Sequence, residues 1–205
     1  MLSLKKASAV IIAEAHNPTI ISPEWVRDNL DIQEKPIHFV HTPTLSVFDS
    51  NSYMITVDPN RWELITKKLD EASLVSCGVI VKEYTLKLPH ITYKSLGLNF
   101  IWEYSARLNK ENLPELKFQI NSLNPSNLFS KQKVKYGGRI QVPFKDYVMS
   151  VNIDYKDKKF LIFNYNFSYA IESWGVRRIA KATESFLPMK NISEKITLDM
   201  LARKE

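Results

Sequence analysis

Tyr147-Val148-Met149-Ser150-Val151-Asn152-Ile153-Asp154-Tyr155 and, after a short charged turn, Leu161-Ile162-Phe163-Asn164-Tyr165-Asn166-Phe167-Ser168-Tyr169 decide the fold. Successive side chains of a strand point to opposite faces, so strict alternation marks a strand with one buried face. Here Tyr147, Met149, Val151, Ile153 and Tyr155 alternate with smaller or polar residues. Leu161, Phe163, Tyr165, Phe167 and Tyr169 do the same, around a turn at Lys156-Asp157-Lys158. The pattern predicts a long antiparallel hairpin with one aromatic face and one uncharged polar face carrying Ser150, Asn152, Asn164 and Asn166. Such a polar face, bordered by lysines, suits a partner or a shallow groove as well as plain solvent.

Working outward, residues 91–104 alternate in the same way. Leu96, Leu98, Phe100, Trp102 and Tyr104 lie on one face. Residues 7–15 read as a buried strand that ends before Asn17-Pro18. Ser22-Pro23-Glu24-Trp25 opens a short helix ending near Leu30, with Ser22 as cap and Pro23 at the first helical position. Residues 37–41 are extended, and a hairpin follows at 45–48 and 53–57. Asp58-Pro59 has the form of a second helix start, with Trp62, Ile65 and Leu69 as its apolar stripe. A strand is then expected at 79–88, a short strand at 117–120 and a loop at 121–130. The last main helix covers 173–187 and stops at Pro188, and a short tail helix follows at 193–203.

These elements predict an α+β fold, a largely antiparallel sheet with helices packed on one face. The 205 residues suit a single domain. A hairpin leading into a helix with tryptophan in its first turn recurs at 45–70 and 147–186. This suggests two β–β–α halves, 1–90 and 91–190, and a tail at 191–205.

Composition narrows the chemistry. The only cysteine is Cys77, so no internal disulfide forms and the expectation is a cytoplasmic protein without a membrane span. The four histidines, His16, His38, His41 and His90, have no metal-ligand spacing. His38 and His41 point to opposite sides of an extended chain. There is no phosphate loop and no hydrolase elbow; Gly137-Gly138 is followed by Arg139. No cofactor or catalytic residue is implied. An enzyme would need a dispersed site, with Cys77, His90 and Glu103 as its candidates.

Charge is uneven. Residues 1–130 hold 13 Lys and Arg against 14 Asp and Glu, whereas residues 131–190 hold 12 against 5. A basic segment on a neutral remainder fits an anionic partner or a solvated, lysine-rich surface. If the partner is nucleic acid, the candidate contacts are Lys131, Lys133, Lys135, Arg139, Lys158 and Lys159, with Arg177, Arg178 and Lys181 on the last helix. The aromatic residues interleaved with them read as core, since their period of two puts them on one face.

Two further stretches are distinctive: residues 17–25, from Asn17-Pro18 through Ser22-Pro23-Glu24-Trp25, and residues 88–100, from Leu88-Pro89-His90 through Gly97-Leu98-Asn99-Phe100. They resemble segments of a group of uncharacterised bacterial proteins of similar size. The resemblance implies a bacterial or phage source and a compact α+β fold, and carries no catalytic motif. The function expected from the whole reading is that of a non-enzymatic subunit or binding module acting through a protein partner.

Overall fold

A computed structural model describes residues 1–105, 138–156 and 159–202. Among these residues nine strands form one antiparallel sheet. They are β1 (Leu2–Glu14), β2 (His38–His41), β3 (Ser46–Asp49), β4 (Tyr53–Val57), β5 (Arg61–Thr66), β6 (Thr92–Ser105), β7 (Gly138–Pro143), β8 (Val148–Lys156) and β9 (Phe160–Ala170). Their spatial order is β2-β3-β4-β5-β1-β6-β9-β8-β7. The two longest strands, β1 and β6, pair at the centre from Leu2 opposite Tyr104 to Glu14 opposite Thr92. From each of them the chain jumps to an outer edge and returns inward strand by strand. Thus β5 reaches the free side of β1, and β9 the free side of β6.

Four helices cover one face: α1 (Pro23–Leu30), α2 (Glu71–Lys87), α3 (Val176–Thr183) and α4 (Phe186–Ala202). The fold is therefore α+β, as the alternating strands predict. On the covered face, β1 offers the small side chains Ala7 and Ala9, while β6, β8 and β9 offer Leu98, Phe100, Val151, Phe163 and Phe167, all fully buried. Phe100 meets Phe167 and Phe186 edge-on, with ring centres 6.1 and 5.1 Å apart. Polar tethers fix the helices over this layer. Trp102 Nε1 donates to Ser193 Oγ at 2.8 Å, and the hydroxyls of Tyr165 and Thr197 pair at 2.9 Å. Burial leaves the Tyr165 phenol pushed up to about 12, against the lowering effect of its hydrogen bond to Thr197.

The start of α1 matches its sequence: the Ser22 hydroxyl accepts from Trp25 N, and Pro23 opens the helix. Three other expectations are corrected. Residues 61–66 are strand β5, not a helix. Asp58 accepts from Asn60 N and Arg61 N in a turn between β4 and β5, the same capping chemistry used in a hairpin. Trp62, Leu64 and Thr66 alternate inward. Trp62 therefore does not start a helix, and β5 intervenes between the first hairpin and α2. Residues 79–88 belong to α2, except Leu88 at its C-cap. Asp70 caps that helix, accepting from Ser73 N. Pro188 does not stop a helix. It lies in the first turn of α4, where its missing N–H would have had no helical partner. The chain breaks earlier, between Thr183 and Phe186, so the expected tail helix is the second half of α4. The strand and loop expected at 117–120 and 121–130 lie outside the described residues.

One close approach sets the helix layer. A Cβ added at Gly78 of α2 would lie 2.9 Å from the Thr183 carbonyl oxygen and 3.4 Å from Phe186 Cβ. Helix propensity alone favours Gly78→Ala by about 1 kcal/mol. Forcing apart α2 and the α3–α4 junction costs about 1–3 kcal/mol. Gly78→Ala is expected to lower the urea midpoint, with a net loss of about 1 kcal/mol, and Gly78→Leu to lower it further. A raised midpoint for the alanine variant would show that the helices do not pack this closely.

Candidate functional site

Among the described residues, no helix covers the second face of the sheet. Register places Lys6, Ser8, Val10 and Ile12 of β1 on it, beside Arg61 and Glu63 of β5. Across the central pair come Ser95, Gly97, Asn99 and Ile101 of β6, then Asn166 and Ser168 of β9. These residues border a groove enclosing about 370 Å³. It is deep enough that Ser8 and Val10, on the uncovered side, are only 2% and 8% exposed.

Charge is confined to one side of the groove. Glu63 receives both Lys6 Nζ at 3.5 Å and Arg61 at 3.0 Å, and Lys5 meets Glu103 at 3.0 Å nearby. The floor is uncharged. At its centre Asn166 Nδ2 donates to Asn99 Oδ1 at 2.6 Å. Gly97 makes room for this pair, because a Cβ there would stand 3.1 Å from Asn166 Nδ2. The row continues across strands: Gln141 lies opposite Ser150, Ser150 opposite Asn166, Asn166 opposite Asn99, and Asn99 opposite Ser8. The alternation of β8 and β9 already marked Ser150, Asn152, Asn164 and Asn166. Ser8, Gly97 and Asn99 were missed, since a serine and a glycine in strands give no signal until the register aligns them.

The basic candidates do not form one surface. Arg139 is exposed on the helix-free side of β7, opposite Asn152. Lys159 sits in the β8–β9 turn. Arg177, Arg178 and Lys181 project from α3 in the helix layer. There Arg178 is held by Asp146 at 2.9 Å and lies 4.0 Å from the Trp174 ring centre. Lys131, Lys133, Lys135 and Lys158 lie outside the described residues. The aromatic residues of the hairpin that could have stacked on bases, Phe163, Tyr165, Phe167 and Tyr169, are buried beneath the helices.

The dispersed catalytic candidates also separate. Cys77 is not between a helix and a strand. It lies within α2, fully buried, and burial pushes its thiol well above the usual range. Glu103 faces the other side of the sheet and is paired with Lys5. His90 is exposed beyond α2. Among the described residues no three His, Cys, Asp or Glu side chains gather as a metal site, and no helix is long and apolar enough to cross a membrane.

His16 is the exception among the histidines, at 3% exposure. Its Nε2 lies 3.3 Å from the Ile11 carbonyl oxygen, which only accepts, so Nε2 carries the proton. Nδ1 then accepts from the Tyr84 hydroxyl at 2.8 Å. Tyr84 in turn stacks on Trp62 at 4.5 Å, so the imidazole joins β1, β5 and α2. Burial depresses the His16 pKa, against smaller opposing effects of the Ile11 carbonyl and Asp58.

No family model and no curated protein sequence matches this chain.

The histidine yields a pH prediction. With its folded pKa depressed below the ordinary 6.5, the unfolded chain binds more protons between the two values. This contribution to stability is complete above pH 6.5 and is lost as pH falls from there through the folded pKa. Urea unfolding at pH 7.5, 6.5 and 5.5 is expected to show falling stability for the wild type and a flatter profile for His16→Gln. Equal slopes would mean that His16 does not carry the effect.

Proposed function

We propose that this chain is a non-enzymatic binding module that engages a protein partner through the helix-free face of its sheet. One observation carries the reading: a groove at the centre of the sheet joins uncharged hydrogen-bonding groups to the aliphatic side chains of Val10, Ile12 and Ile101. Binding sites combine apolar surface with a few placed polar groups in this way. The polar and apolar groups sit on rigid paired strands, which hold them in register without a partner present. The cations of α3 and of β7 point to opposite sides of the sheet, which favours the groove over a basic surface as the contact. On this reading the excess of positive charge in residues 131–190 serves solubility and steering.

The test compares captured partners. Ser95→Lys/Ser168→Lys places two long cations at the groove while leaving the covered face intact. Arg177→Ala/Lys181→Ala alters only the α3 surface. Tagged wild type and both variants, each verified as folded by circular dichroism, would be crosslinked in cells and their partners identified by mass spectrometry. A protein captured by the wild type and the α3 variant, but reduced at least tenfold with the groove variant, is the expected result. Undiminished capture by the groove variant would overturn the proposal. So would capture that depends on α3 and disappears on nuclease treatment.

A further inference from the structure

We infer that the Asn99–Asn166 pair is a recognition site for the carboxamide groups of an extended, uncharged polypeptide segment, an inference that rests on the sheet-face reading above. The two side chains share one hydrogen bond, Asn166 Nδ2 to Asn99 Oδ1. Among the described residues this leaves the Asn99 NH2 and the Asn166 carbonyl oxygen without a protein partner. Unengaged N–H donors and an unengaged acceptor on one partly buried pair match the carbonyl and N–H of an amide. Both groups must be satisfied by water or ligand, and a ligand amide replaces that water with bonds of the same kind.

Charge selects among occupants. The groove floor is neutral, and the two cations at its side, Lys6 and Arg61, are already engaged by Glu63. Among the described residues that line the groove, a polyanion would find no unengaged cation. No aromatic ring borders the groove, so neither a base nor a sugar ring has a stacking surface there. A neutral chain rich in amides meets both conditions. Length agrees as well: the cross-strand row from Gln141 to Ser8 covers five strands, about 19 Å at the usual strand spacing, close to the ~20 Å of six extended residues.

The experiment is a titration of the 15N-labelled full chain, following the side-chain NH2 resonances of Asn99 and Asn166. The probe is a capped hexapeptide of alternating glutamine and serine. Controls are the same peptide with glutamate for glutamine, and a single-stranded oligouridylate. Saturable shifts of both resonances with the glutamine peptide are expected, with the glutamate peptide at least tenfold weaker. Asn99→Ala/Asn166→Ala should weaken peptide binding at least tenfold, followed through backbone signals of β6 and β9. Gly97→Val keeps both asparagines but fills the floor beside them, and should have the same effect. Arg177→Ala should have none.

Absence of saturable shifts, equal affinity for the glutamate peptide, or tighter binding of the oligouridylate would overturn the inference. If the peptide fails while the Ser95→Lys/Ser168→Lys variant still loses its partner, the amide site falls and the sheet-face reading stands. If that variant keeps its partner, the failure lies in the underlying reading.

Discussion

The pairing of β1 with β6 is the constraint on which the structure depends. It is the longest ladder in the sheet, and it joins strands about 90 residues apart in the chain. On one side the pair presents Ala7, Ala9, Leu98 and Phe100 to the helices. On the other it forms the middle of the groove. A one-residue slip would exchange those two sets, placing Asn99 under α4 and Phe100 in water. The same register therefore sets the core and the uncovered polar face together. The small residues of β1 let the helix layer settle close to the strands, and the absent side chain of Gly78 lets α2 settle against the α3–α4 junction.

How much of this could be read from the sequence depended on how one-sided each element is. The β8–β9 hairpin is buried on one face and wet on the other, so its period of two is plain. The α1 start was legible because Ser22 and Pro23 perform their usual capping roles. Helix α2 was not. Leu74, Cys77, Gly78, Ile80, Val81, Tyr84 and Thr85 are all buried, and its outer side still carries Val75, Val79 and Leu86. A helix that is apolar nearly all round has no stripe to detect. Its many β-branched residues also favour strand in isolation. The error at 58–66 was of another kind: an Asp followed by Pro organises a turn as readily as a helix start, and only pairing with β1 decides between them. The groove was legible by halves. Polar alternation identified the Asn166 side of β9, but the depression itself is a product of four strands meeting, and no single segment encodes it.

The helix layer and the uncovered face divide the labour of the fold. Hydroxyl and indole tethers such as Trp102 to Ser193 pin the helices in one position, because a buried polar group without its partner is costly. Those tethers give the layer directional specificity that aromatic packing alone lacks. The opposite face is under no such demand. Its asparagines and serines are hydrogen-bonding groups on a scaffold already made rigid from beneath, which is how a binding surface keeps its geometry without spending stability on it.

The strand order also sets a timetable. In chain order, β1 finds its first neighbour in β5, which ends at Thr66. Its other edge stays open until β6 arrives, about 40 residues later still. During that interval Ala9-Val10-Ile11-Ile12-Ala13 presents unpaired main-chain groups on an apolar strand, the kind of edge that invites pairing with another nascent chain. Arrival of β6 thus closes the apolar edge of β1 that β5 leaves open.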